Sequence, residues 1–194
     1  MERLVGKNII YCAVFISGRG TNLKSIFKYS KKKKSIINLK LVISDRNDAK
    51  GIIFAKKHRI KNKIVSFKNK IKAEKQIIKL LKNYNVKLIF LAGFMRILSK
   101  NFVKKFNKKI INIHPSLLPK YKGLNTHKRV IKNKEKYSGC TVHFVDEKLD
   151  SGKIILQQKV RLFKSDTPKT LAKRILKVEN KLYPKAINKL LSKT

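Results

Sequence analysis

Acidic side chains are scarce in this sequence. Only 10 of its 194 residues are Asp or Glu, against 50 Lys and Arg, and the formal net charge is +40. An acidic, solvating chain is excluded. Disorder does not follow from the charge, because 42% of the residues are hydrophobic, as in ordinary globular proteins. Cysteine is equally sparse, with two residues, which excludes a disulfide-dense secreted scaffold. Cys12 sits in an apolar run and Cys140 among strand-like residues, at a spacing that matches no metal pattern. Both read as reduced core thiols of a cytoplasmic protein. Long apolar runs are missing too: none reaches the roughly 18–20 residues that span a bilayer. Ile9–Ile16 is short and is followed by Ser17-Gly18-Arg19-Gly20 rather than a small-residue cleavage site, so no signal peptide is expected.

Arginine is the minor cation, with 8 residues against 42 Lys. Guanidinium groups are the usual forks for phosphate and guanine recognition, and the lysines are spread along nearly the whole chain. With 15 Asn and abundant Ile, all read from AT-rich codons, a compositional bias accounts for the basic excess. No specific nucleic-acid partner is expected. The charge should still steer anionic substrates inward and cost stability at low salt.

What is present is an alternation of strand and helix patterns. Ile9–Ile16, Leu39–Ser44, Lys63–Phe67 and Leu88–Ala92 read as strands, the first and last as runs buried on both faces. Leu23–Tyr29, a segment from Asp48 (as cap) to Lys57, and Lys70–Asn83 read as helices between them. Further on, Ser99–Phe106 and His127–Lys132 read as helices, and Lys109–Ile113, Gly139–Val145 and Lys153–Val160 as strands. Thr167–Leu191 reads as a long C-terminal helix bent near Pro184. This order predicts an α/β fold with a single doubly wound, mostly parallel sheet. No repeat or Pro/Gly/Ser linker interrupts it. One domain over residues 9–194, behind an extension of residues 1–8, is the expected organisation.

Three segments carry candidate chemistry. The turn Gly18-Arg19-Gly20-Thr21-Asn22 follows a strand and opens a helix, where free N–H groups can hold a phosphate. A dinucleotide site would want glycine at position 23, which is leucine, although Asp45 supplies the acid such a site needs after the second strand. A tight turn with an Asn or Thr cap fits the spacing equally well. Asn112 and His114 lie two apart on a strand and share a face, and Pro115 keeps His114 extended. An amide beside an imidazole suits a reaction that develops an oxyanion and moves a proton, though such pairs are also found as strand-end structure. Asp150, in the loop Asp146-Glu147-Lys148-Leu149-Asp150, would orient His114 if the loop reached it. After the Leu88–Ala92 run, Gly93–Leu98 reads as a mobile apolar loop with one arginine that could wall a flat heteroaromatic ligand, or simply pack.

Taken together, the runs Ile16–Leu23, Leu91–Ser99, Asn112–Tyr121, Thr141–Val145, Leu149–Gly152 and Ile154–Gln157 resemble the phosphoribosylglycinamide formyltransferases. The likeness covers roughly residues 9–186 in order. It implies transfer of the formyl group of 10-formyltetrahydrofolate to the amine of 5-phosphoribosylglycinamide (GAR) in purine synthesis. No metal and no covalent enzyme intermediate are expected. By that resemblance Asn112 and His114 are catalytic and Asp150 keeps His114 charged. Gly20, Thr21, Asn22 and Glu179 would bind GAR. Met95, Arg96, Ile97, Leu98, Asn112, the Asp146–Asp150 loop (Asp146, Glu147, Lys148, Leu149, Asp150) and, loosely aligned, Lys70 would hold the folate. His143 is expected to support the structure, and His58 and His127 receive no catalytic role. Ser151 and Leu176 depart from the family pattern; the first should be tolerated and the second should weaken GAR binding. The rigid Leu118-Pro119 loop makes a cis bond a reasonable expectation. Formyltetrahydrofolate hydrolases and methionyl-tRNA formyltransferases share the Asn-x-His core but carry additional domains for which no residues are expected here. A monomer or homodimer acting on small molecules, away from membranes, is the expected form. A basic nucleic-acid-binding protein on the same fold is the non-enzymatic alternative.

Overall fold

The computed structural model describes residues 9–106 and 109–192; the expected extension at residues 1–8 lies outside them. The fold class is the expected one: α/β, with a mostly parallel seven-stranded sheet and a long C-terminal helix. The chain forms two compact units, one up to Arg96 and one from Ile97.

The first unit contains β1 (Ile10–Ile16), α1 (Thr21–Ser30), β2 (Ile37–Ser44), α2 (Lys50–Lys57), β3 (Lys61–Ile64), α3 (Lys70–Asn83) and β4 (Leu88–Leu91). Its strands run in the order β3-β2-β1-β4, and all three pairings are parallel. β1 and β4 are apolar throughout, as in parallel sheets covered on both faces, and Cys12 to Ile16 are fully buried. α3 has the bounds the periodicity predicts and presents Ala73, Ile77 and Leu81 to the core. Ile71 falls off that face and is exposed. Two local expectations fail. β3 starts at Lys61 rather than Lys63 and is largely exposed; as an edge strand it carries lysines instead of an apolar run. Asp48 does not cap α2: Ala49 holds the N-cap, and the Asp48 carboxylate is forked by the Arg46 guanidinium at 2.6 and 2.9 Å.

The second unit contains α4 (Lys100–Lys105), β5 (Ile110–His114), α5 (Thr126–Lys132), β6 (Tyr137–Phe144), β7 (Ile154–Arg161) and α6 (Pro168–Leu191). β5, β6 and β7 form antiparallel pairs, joined between β6 and β7 by the acidic loop. Ser99 caps α4 by accepting from the Phe102 N–H. Thr167 caps α6 through a capping box with Thr170. α6 stays helical through Pro184 and buries Leu171, Ile175, Leu182, Tyr183 and Ile187, and the Tyr183 hydroxyl donates to the Ile111 carbonyl. Leu118-Pro119 is cis, as the rigid loop suggested.

Candidate active site

In the second unit the site grows from one strand pairing. Asn112 on β5 lies directly opposite His143 on β6, and His114 opposite Thr141. Residues opposite one another, or two apart along a strand, share a face. Asn112, His114, His143 and Thr141 therefore point the same way. The β6–β7 register shifts between Val142 and His143, a bulge of the kind that re-aims a side chain.

Hydrogen bonding fixes the roles. His143 Nδ1 lies 2.8 Å from the Phe144 carbonyl, which can only accept, so Nδ1 carries the proton. Nε2 then accepts, and the Asn112 amide donates to it at 3.3 Å. His143 thereby orients the amide with its second N–H left over. Burial pushes the His143 imidazole below its ordinary value, and the Phe144 carbonyl and Asp150 offset this only in part.

His114 has acceptors at both ring nitrogens: the Tyr121 carbonyl 2.8 Å from Nε2 and the Asp150 carboxylate 3.3 Å from Nδ1. The same carboxylate accepts from the Gly123 N–H at 2.9 Å and reaches within 3.7 Å of His143 Nε2. The side chains of His114 and Asp150 are 7% and 8% exposed, so their interaction is little screened by solvent. Asp150 is held at φ 47°, in the left-handed region that an aspartate tolerates at a cost. Gly152 follows, where a Cβ would sit 1.9 Å from the Phe144 carbonyl oxygen. The expected meeting of Asp150 with His114 is thus observed.

The loop before Asp150 is solvent-facing: Asp146 accepts from the Glu147 N–H, Glu147 pairs with Lys104 at 3.6 Å, and Lys148 and Leu149 are exposed. Ser151 is accommodated there, accepting from Lys122 Nζ and donating to the Leu149 carbonyl. Across from it, Thr141 Oγ1 donates to the Ser116 carbonyl and accepts from the Leu118 N–H and the Gln157 amide. That uses all its capacity and ties the Pro115–Tyr121 loop to β6 and β7. Glu179 is buried on α6, close enough to the Cys140 thiol and the Tyr183 hydroxyl to help raise both, with burial the larger cause; the Cys140 thiol is pushed up to about 12. Leu176, one turn earlier, is half-buried.

In the first unit, Gly20 at φ 71° is the N-cap of α1, and no side chain caps that helix. Thr21 is its first residue, and Asn22 is buried in its first turn. A Cβ on Gly20 would lie 2.8 Å from the Gly51 Cα, and the Gly51 N–H donates to the Gly18 carbonyl. Gly51 therefore shapes the anion turn, a part that sequence reasoning missed because the partner is on another helix. Segment 93–96 is tied down rather than loose. The Ser17 N–H donates to the Gly93 carbonyl, Ser17 Oγ accepts from the Met95 N–H, and Phe94 packs edge-on to Phe15 and Phe67. Arg96 pairs with Asp45. Met95 and Ile97 are exposed, Leu98 is buried, and Lys70 is an exposed first residue of α3.

Known proteins resemble this chain along most of its length. A family model described as formyl transferase matches residues 10–187. The chain belongs to the formyl transferase family. Among its members, the phosphoribosylglycinamide formyltransferase of Haemophilus influenzae is 41% identical over 90% of this chain and 84% of its own length. The trifunctional purine biosynthetic protein adenosine-3 of Gallus gallus is 40% identical over 95% of this chain, which spans only 19% of that protein. The structure of glycinamide ribonucleotide transformylase 1 from Symbiobacterium toebii superposes with a TM-score of 0.91 at 36% identity, covering 96% of this chain and 90% of that one. Among the described residues of this family member, no helix is long and apolar enough to cross a membrane, and no three His, Cys, Asp or Glu side chains are grouped to hold a metal.

The buried histidines give the fold a pH dependence. His143 and His127 are both pushed below the ordinary value of about 6.5, first by burial and, for His127, also by the charge of His114. The unfolded chain therefore binds more protons than the folded one as pH falls below that value. Their contribution to stability is complete above it and is lost on acidification toward the lowered folded values. The melting temperature should fall between about pH 7.5 and pH 5.5, and His143→Asn should flatten that slope. An equal slope in the variant would assign the effect elsewhere.

Proposed function

We propose that this chain transfers the formyl group of 10-formyltetrahydrofolate to the amine of GAR. The observation that carries the reading is the Asn112–His143 and His114–Asp150 cluster, in a chain of the formyl transferase family whose relatives include named GAR formyltransferases. The GAR amine attacks the formyl carbon directly, giving a tetrahedral carbon with an oxyanion. The free N–H of Asn112 donates to that oxyanion, and His114, on the same face, shares in its stabilisation and manages the proton shed by the amine. Asp150 orients the His114 ring. Collapse breaks the bond to folate N10, which takes up a proton, and releases tetrahydrofolate and formyl-GAR. Gly20, Thr21 and Asn22 hold the GAR phosphate at the uncapped start of α1, and Glu179 binds GAR. Met95 to Leu98, Asn112, the Asp146–Asp150 loop and Lys70 hold the folate. Residues 9–194 act as one formyltransferase domain in the cytoplasm, as a monomer or homodimer, with no specific nucleic-acid partner.

The test is tetrahydrofolate release from 10-formyltetrahydrofolate with and without GAR. GAR-dependent release that disappears in Asp150→Asn supports the transferase. Release without GAR identifies a hydrolase, and folded protein with no turnover removes the reading.

A further inference from the structure

The Asp45 carboxylate stands out on physical grounds. The chain has only 10 acidic residues, and this one is the most deeply buried partner of any arginine pair with an ordinary hydrogen-bond length. Its side chain is 2% exposed, while that of Arg96 is 49% exposed. Arg96 Nε donates to Asp45 Oδ2 at 2.6 Å, a charge-assisted bond. Asp45 Oδ1 is buried with no hydrogen-bond partner. A buried carboxylate left half-satisfied is costly unless the structure uses it. Its placement is deliberate: Ser44 Oγ donates to the Arg46 carbonyl and accepts from the Arg46 N–H, locking the turn at the end of β2. Arg46 is occupied by Asp48, so Asp45 is left to Arg96.

That bond reaches 51 residues along the chain, to a segment already gripped through Ser17 at Gly93 and Met95. The grip by Ser17 is through backbone groups; only Asp45 holds a side chain of the segment by charge. Because the bond uses Nε, it leaves the two terminal amino groups of the guanidinium unengaged. We infer that Asp45 is a positioning residue: through Arg96 it fixes segment 93–96 in the conformation that receives the folate co-substrate. This inference rests on the folate assignment of Met95 and Arg96 made above.

The experiment compares wild type with Asp45→Asn, which keeps the shape and removes the charge. Hydrogen exchange of the 93–96 amides is read on the free protein. Affinity for tetrahydrofolate is read by calorimetry, and KM for both substrates and kcat by initial rates. Exchange in the segment should rise, folate affinity should fall and KM for 10-formyltetrahydrofolate should rise about tenfold, the scale of one lost charge-assisted bond. KM for GAR and kcat should stay within about twofold, because a group that acts on folate binding through another side chain changes binding rather than the chemical step. Unchanged exchange and unchanged folate affinity would overturn the inference. So would an equal loss for both substrates with a lowered melting temperature, which marks a general structural role. If wild type binds no folate although the segment loosens in the variant, the folate reading fails instead, and the functional inference falls with it.

Discussion

Replacing His114 with alanine is expected to lower kcat/KM by about 10³-fold, within the span that general acid–base and oxyanion groups supply. The imidazole is the one group whose two nitrogens face the Tyr121 carbonyl and the Asp150 carboxylate. In the proposed mechanism, alanine removes a stabiliser of the developing oxyanion and the carrier of the amine proton together. It also leaves the Asp150 carboxylate, 8% exposed at its side chain, without its ring partner. The Gly123 N–H still donates to Asp150, so the fold should lose only about 1–3 kcal/mol. Initial rates and thermal melts on the same preparations separate the two effects. A loss of activity smaller than about tenfold would remove His114 from the chemistry.

The second large effect is expected at a residue with no chemistry of its own. Gly152→Ala places a methyl group 1.9 Å from the Phe144 carbonyl oxygen, which is backbone rather than the free end of a flexible side chain. Either the acidic loop moves or the carbonyl does. Movement of the loop carries off Asp150, already at φ 47°. Movement of the carbonyl removes the acceptor that sets the His143 proton on Nδ1, and with it the orientation of the Asn112 amide. Both routes misplace groups of the proposed mechanism, and displacements of about 1 Å cost on the order of 10²-fold. We therefore expect kcat to fall at least about 10²-fold with KM for GAR little changed. Gly123→Ala makes a useful contrast. Its Cβ would meet nothing nearer than Leu149 at 3.7 Å, so any effect there comes from its φ of 77° alone. Equal activity of Gly152→Ala and wild type would show that the loop adapts.

The Asn112–His114 cluster and the Gly18–Asn22 turn differ in how legible they were. That Asn112 and His114 share a face follows from the two-residue period of a strand, and needs no knowledge of what lies opposite. That His143 orients Asn112 depends on the β5–β6 register and on a bulge, neither visible in a stretch of sequence. The anion turn was readable as glycines between a strand and a helix. Its dependence on Gly51 was not, because nothing near residue 20 encodes the approach of α2. Segment 93–96 read as mobile because it is short and glycine-led; Ser17, Phe15, Phe67 and Asp45 hold it, and all come from elsewhere in the chain.

By itself, the sequence determined the order of strands and helices, the burial of β1 and β4, the extent of α3 and the shared face of Asn112 and His114. These rest on periodicity and backbone preference, which act over a few residues. The tertiary structure alone decided the pairing of Asn112 with His143, the contact of Asp150 with His114 and the pairing of Asp45 with Arg96. Each joins groups separated by 31 to 51 residues, or depends on such a contact. Bonds of that kind form only after packing has excluded water and brought distant backbone into register.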